Sequence, residues 1–211
     1  MLSIRFGSVL VVVCFIISLF ASQYSRFPFD LTISAFVQSI PLPLFDPFMQ
    51  ILSTMGNWVP ATLMTISLVT GLLMARKLSQ AAYILGLVIS STLLNRLIKE
   101  IVDRPRPDSS LIEVSQQVGG GSFPSGHVTF VTVIFGLLVI YLFTSGFGSV
   151  LFRRIVQISL VMLILLMAVS RVYIGVHWAS DTFGGMFIAL TYMHLVFVLK
   201  SHFRFLFARL P

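Results

Sequence analysis

Three short stretches of the 211-residue chain carry side chains that could hold an anion and do acid–base or nucleophilic chemistry on it. Lys99, Arg104 and Arg106 crowd into positions 99–106, the two arginines each followed by proline. Pro124-Ser125-Gly126-His127 follows a run of glycines at 119–121. Ser170-Arg171 precedes His177 and Asp181, which stand four positions apart. Cations pair strongly with phosphate oxygens. Pro124 and Ser125 are helix-start residues, and a helix beginning there aims free N–H groups and the positive end of its dipole at an anion. Gly126 lets an anion approach the backbone closely. A spacing of four puts His177 and Asp181 on one helical face, where the carboxylate can orient the imidazole. Taken singly, each histidine is an ordinary interfacial polar residue; the reading rests on the set.

To meet, these stretches must be delivered to one place by the segments between them, and those segments are apolar. Hydrophobic residues make up 57% of the chain and charged ones 10%, against about a quarter charged in a soluble domain. So few charges cannot build a polar exterior, and lipid is the expected solvent for most of the surface. A membrane span takes about 20 apolar residues. Six stretches qualify or nearly so, at 6–22, 57–75, 81–98, 127–145, 154–170 and 182–199. The first has the outline of a signal peptide, Arg5 followed by an apolar run over 9–21, but Phe20-Ala21-Ser22-Gln23 is a poor cleavage site. A retained helix is the expectation. The expected fold is all-α, a six-helix transmembrane bundle forming a single domain over 1–211.

Segment 23–57, between the first two spans, carries Asp30 and Asp46 and shows apolar residues near helical spacing, such as Phe36, Val37 and Ile40. Pro41, Pro43 and Pro47 rule out one continuous helix, so short interfacial helices are expected. Cys14, the single cysteine, lies in an apolar run and excludes an intrachain disulfide framework.

The net charge of +7 does not point to nucleic acid, because the basic residues are short groups between apolar runs. Lys and Arg accumulate on the cytoplasmic side of spans. Arg5, Arg76, Lys77, Arg153, Arg154, Lys200, Arg204 and Arg209 all fall on one side of a six-span chain. Both termini are therefore expected in the cytoplasm. Lys99, Arg104, Arg106 and Arg171 fall on the opposite side, where topology gives positive charge no task, and His127 falls there too.

In this arrangement the residues resemble the three-part signature of the PAP2 (type 2 phosphatidic acid phosphatase) superfamily. Lys99, six residues and Arg106-Pro107 match its first part, and Pro124-Ser125-Gly126-His127 its second. Ser170-Arg171, five residues, His177, three residues and Asp181 match its third. The resemblance covers roughly 27–199, with the signature in 99–181. It implies an integral membrane lipid phosphate phosphatase that needs no metal or other cofactor, and no carboxylate cluster suited to Mg²⁺ is visible. In that mechanism His177 is the nucleophile that forms a phosphohistidine, and Asp181 orients it. His127 protonates the leaving group and then helps activate water. Lys99, Arg106, Ser125, the Gly126 N–H and Arg171 hold the phosphoryl oxygens. The spacing from Lys99 selects Arg106 over Arg104, which is left as an additional phosphate or headgroup contact. His194 and His202 lie outside the signature and read as structural; Arg96 reads as a snorkelling or paired residue.

The resemblance implies a membrane lipid phosphate as substrate: phosphatidic acid, phosphatidylglycerophosphate, a polyprenyl diphosphate such as undecaprenyl diphosphate, or a lipid A-type phosphate. The expected location is a bacterial cytoplasmic membrane, with the site on the periplasmic or exterior face. A lipid phosphotransferase would use much the same residues. A non-enzymatic lipid transporter would have no need of both histidines. Oligomeric state is not legible.

Overall fold

The structure, a computed structural model, describes residues 4–40, 43–144, 146 and 148–207, the last eight of them by backbone alone. Pro41, Arg209 and the side chains of Lys200, His202 and Arg204 lie outside the described residues. Among the described residues eight helices follow one another: α1 (Ile4–Gln23), α2 (Pro28–Gln38), α3 (Phe45–Thr54), α4 (Trp58–Met74), α5 (Leu78–Val102), α6 (Gly126–Thr144), α7 (Val150–Tyr173) and α8 (Ala179–Phe207). No strand occurs among the described residues.

α1, α5, α6, α7 and α8 are each long and apolar enough to cross a membrane. α4 has only 17 residues and reaches span length together with α3, across a bend of 59°. The stretch read from sequence as a simple span near 57–75 is thus the longer arm of a bent pair. Large apolar side chains such as Phe15, Leu93, Phe143 and Ile158 stand exposed around the outside, as expected of an integral membrane protein whose helices satisfy their own backbone groups.

α6 is the centre of the bundle and packs against α5, α7 and α8, while α1 lies on α8 and α5, and α4 on α5. Val128, Val131, Ile134 and Phe135 of α6 join Ile164 and Met167 of α7 in the main core. On the other side Val133 and Leu137 meet Leu87, Ala189 and Met193. Both flanks of α6 are therefore buried, which its uniformly apolar sequence allows.

The helix ends sort into two levels. α5 ends where α6 begins, and α7 ends where α8 begins. At the opposite level lie the turn at 75–77 and the connection before α7, where Lys77 Nζ stands 5.8 Å from the Tyr141 ring centroid. α5 stops at Asp103, which is left-handed (φ 42°), and Pro105 and Pro107 prevent its continuation. α7 stops at Ile174-Gly175; Gly175 has φ +74°, and a Cβ there would fall 2.1 Å from the Glu113 carbonyl oxygen. α2 and α3 occupy the same level as these ends, α2 against α7 and α8, α3 against α7. Gln38 at the end of α2 donates to the carbonyls of Glu113 (2.7 Å) and Tyr173 (2.9 Å), pinning the 108–123 loop to the bundle.

Candidate active site

Lys99 lies in the last turn of α5 and donates from Nζ to the carbonyls of Gly121 (2.9 Å) and Ser122 (3.4 Å). Arg106, just past the helix, donates from Nη2 to the same Gly121 carbonyl (3.2 Å) and from Nη1 to that of Val176 (2.7 Å). Two cations thus converge on one peptide of the glycine run, and the second also touches the residue before His177. Burial holds the Arg106 guanidinium below its usual range, with Asp181 opposing; it remains charged, as arginine does in proteins. Arg171, in the last turn of α7, is buried and hydrogen-bonds to Ser53 of α3 through Nη1. Its Nε is buried with no protein partner.

The start of α6 faces this cluster. Thr129 N–H donates to the Ser125 carbonyl (3.0 Å), the first bond of the helix, and Ser125 N–H donates to the Asp181 carbonyl (3.1 Å). Ser125 therefore holds the N-cap position by its backbone, but its Oγ does not cap: it is buried without a protein partner. His127 Nε2 lies 2.9 Å from Asn57 Oδ1 at the α3–α4 elbow. The ring is within electrostatic reach of His177, Arg171, Lys99 and Arg106.

His177 and Asp181 meet, for a different reason from the one their spacing suggested. α8 begins only at Ala179, so His177 precedes the helix rather than sharing a face with Asp181. Asp181 is the third residue of α8 and reaches back to accept from the Trp178 N–H at 2.9 Å, a capping contact at the helix start. The same Oδ2 stands 3.5 Å from His177 Nδ1, an electrostatic contact longer than an ordinary N–H···O bond. Burial, and then the positive charges of Arg171, Lys99 and Arg106, push His177 well below its usual range, against a hydrogen bond to the Ser122 backbone. Nδ1 is buried without a hydrogen-bond partner, and Nε2 is the nitrogen turned from the carboxylate.

Arg104 does not stand free to meet a phosphate. It is 1% exposed, and each guanidinium nitrogen has a partner: Nε donates to Tyr24 O (3.1 Å), Nη1 to Ser180 Oγ (2.7 Å) and Asp181 Oδ1 (2.6 Å), and Nη2 to Asp30 Oδ2 (3.0 Å). Its place is behind Asp181, which corrects its reading as an extra phosphate or headgroup contact. Ser53 touches Arg171, Gly56 and Asn57 touch His127, and Asp30 and Ser180 touch Arg104; the sequence assigns none of these five to the site. Arg96 pairs with Glu100 at 2.9 Å on the exposed side of α5, and His194 packs edge-on to Phe6 in the α1–α8 seam.

A cavity of about 460 Å³ runs between α4, α5 and α6, lined by Gly56, Thr65, Ser91, Asn95, Phe130 and, at the site end, His127. Its wall is mostly apolar, with Val88, Ile89 and Phe130 beside Thr65, Ser91 and Asn95. Among the described residues no group of three His, Cys, Asp or Glu side chains is placed to hold a metal ion.

Residues 80–204 match the PAP2 superfamily. Phosphatidylglycerophosphatase B of Bacillus subtilis (strain 168) is 30% identical over 127 residues, 60% of this chain and 61% of that protein. Lipid A 4'-phosphatase of Porphyromonas gingivalis is 29% identical over 167 residues, 74% of this chain and 66% of that protein. Each match spans a little under two thirds of the relative's own length. The crystal structure of a transmembrane PAP2-type phosphatidylglycerolphosphate phosphatase from Bacillus subtilis superposes with a TM-score of 0.76 at 24% identity, covering 90% of this chain and 96% of that one. The matched region contains every helix end that carries the cations and histidines described above, and by this match the chain belongs to the PAP2 superfamily.

Proposed function

We propose that the chain, as a single membrane domain, hydrolyses the phosphate ester or diphosphate of a membrane lipid through a phosphohistidine. The observation that carries this reading is the place of His177: a buried imidazole, backed by a carboxylate at 3.5 Å, within the field of Lys99, Arg106 and Arg171. A neutral ring keeps its lone pair for attack, and the three cations match the charge of a phosphoryl group in transfer.

In the first step the Nε2 lone pair attacks phosphorus, the bond from phosphorus to the leaving oxygen breaks, and His127 supplies the proton to that oxygen. In the second, His127 takes a proton from water as the water oxygen attacks phosphorus, the P–N bond breaks, and inorganic phosphate leaves. Lys99, Arg106, Arg171, the Ser125 hydroxyl and the Gly126 N–H hold the oxygens throughout. The unpartnered Ser125 Oγ and Arg171 Nε are suited to this, since buried polar groups ordinarily have a partner. Asp181 steadies the ring and balances the charge that forms on it.

A lipid substrate is supported by the cavity that descends from His127 between α4, α5 and α6, and by relatives named for phosphatidylglycerophosphate and lipid A phosphate. Phosphatidic acid, phosphatidylglycerophosphate and a polyprenyl diphosphate remain the candidate substrates. The basic residues at the level opposite the site, Arg76, Lys77, Arg153 and Arg154, support a site on the outer face of the membrane with cytoplasmic termini. The test is phosphate release by purified protein from a panel of these lipids without an acceptor lipid. Release identifies a hydrolase; product formation only when an acceptor lipid is added would identify a phosphotransferase instead.

A further inference from the structure

Behind His177 lies a chain of buried charges that reaches outside the signature. Asp30, the third residue of α2, and Asp181 are fully buried, and Arg104 nearly so. Arg104 Nη2 is 3.0 Å from Asp30 Oδ2 and its Nη1 is 2.6 Å from Asp181 Oδ1. Ser180 locks the pair together: its N–H donates to Asp30 Oδ1 at 2.8 Å and its hydroxyl to Asp30 Oδ2 at 2.7 Å. Asp30 Oδ2 also accepts from the Phe27 N–H at 2.7 Å, and the Phe27 ring covers the guanidinium at 4.8 Å. The row therefore runs Asp30, Arg104, Asp181, His177, with water excluded along its first three members.

The charges in this row do not cancel. Counted as ionised, the two carboxylates and one guanidinium of these ion pairs leave a net −1 beside the ring. When Nε2 bonds to phosphorus and Nδ1 keeps its proton, the ring becomes positive, and that −1 balances it. Without Asp30, the Arg104 charge would neutralise Asp181 outright. The ring would then face only cations: Lys99 from α5, Arg106 from the loop and Arg171 from α7, with His127 of α6 nearby. In a medium of low dielectric such a change in counter-charge acts strongly on a charge that develops during reaction.

We propose that Asp30 is a positioning residue for phosphoryl transfer, holding Arg104 so that the negative charge of Asp181 stays available to the His177 ring. The inference rests on the phosphatase reading above. It ties α2, an element outside the signature, to the nucleophile.

The test uses full-length protein in detergent and compares orthovanadate, which takes the five-coordinate geometry of the transferring phosphoryl group, with inorganic phosphate, which does not. Asp30→Asn keeps size and loses charge. It is expected to lower kcat by roughly 30-fold with KM within about threefold, and to weaken vanadate by roughly tenfold or more while phosphate changes by less than about threefold. The neutral pair Asp30→Asn with Arg104→Gln removes the unopposed cation and restores the net −1. It is expected to recover most of the lost vanadate preference, which a merely structural role for Asp30 would not allow. Equal weakening of vanadate and phosphate in Asp30→Asn would overturn the proposal. So would a folded double variant with no recovery, which settles the matter even where the single variant does not fold. A wild-type protein that neither turns over lipid phosphates nor binds vanadate overturns the phosphatase reading and this proposal with it. Wild-type activity with an unaffected Asp30→Asn overturns this proposal alone.

Discussion

A Cβ on Gly56 would stand 2.3 Å from Cδ2 of His127, so the elbow between α3 and α4 presses its backbone directly against the ring. The same elbow places Asn57 Oδ1 at 2.9 Å from Nε2 of that ring. One face and one nitrogen of His127 are thus set by residues from a segment that the signature does not include.

Gly56→Ala is expected to displace His127, because the atoms in contact are the ring itself and not a flexible end. Overpacking of this kind costs about 1–3 kcal/mol, so the protein should remain folded while activity drops by about 100-fold, a range typical for loss of a general acid–base group. Phosphate release together with a thermal melt checks both halves. Activity close to wild type would show that the elbow yields and does not set the ring.

Arg104→Ala is expected to act first on stability. It leaves Asp30 and Asp181 buried without their shared cation, and breaking a buried pair from one side costs about 3–5 kcal/mol. Lys99→Ala, whose Nζ partners are backbone carbonyls, should leave the melt nearly unchanged and impair turnover. The ordering of the two melts in the same detergent is the measurement.

His177 makes stability depend on pH in a stated direction. Its folded-state value lies well below the ordinary one, so below about pH 6.5 the unfolded chain takes up a proton that the folded chain refuses. The contribution of the neutral ring is therefore complete above that pH and is lost as pH falls toward the depressed folded value. The melting temperature should decline across this window, and His177→Gln should flatten the decline. An unchanged slope in the variant would place the titration elsewhere.

The metal-free scheme implies that phosphate release persists after exhaustive treatment with a chelator. Loss of activity that added Mg²⁺ restores would refute it.

Much of this arrangement was legible because the relevant contacts are local. Lys99 and Arg106 flank a helix end marked by Arg-Pro pairs, and both turn back on a glycine run that disfavours helix. The spans were legible from apolar length, to within a few residues at most ends. Asp181 near His177 was legible from spacing, yet its cause was not, because Asp181 caps α8 instead of lying on a continuous helical face with His177. The role of Arg104 was hidden for another reason: two of its partners, Tyr24 just after α1 and Asp30 in α2, are 80 and 74 positions away in sequence, with no spacing rule connecting them to the signature. The same holds for Ser53 beside Arg171 and Asn57 beside His127. The α3–α4 elbow was read as the plain start of a span, since composition reports apolar length and is blind to a 59° bend.

The central claim is that phosphorus becomes bonded to His177, and rapid quench with ³²P-labelled lipid phosphate tests it most directly. The account predicts a transient adduct, labile in acid and stable in base, that peptide mass spectrometry places on His177 and that is missing from a folded, inactive His177→Ala variant. Label on any other residue, or His177→Ala releasing phosphate at near wild-type rate, would contradict it.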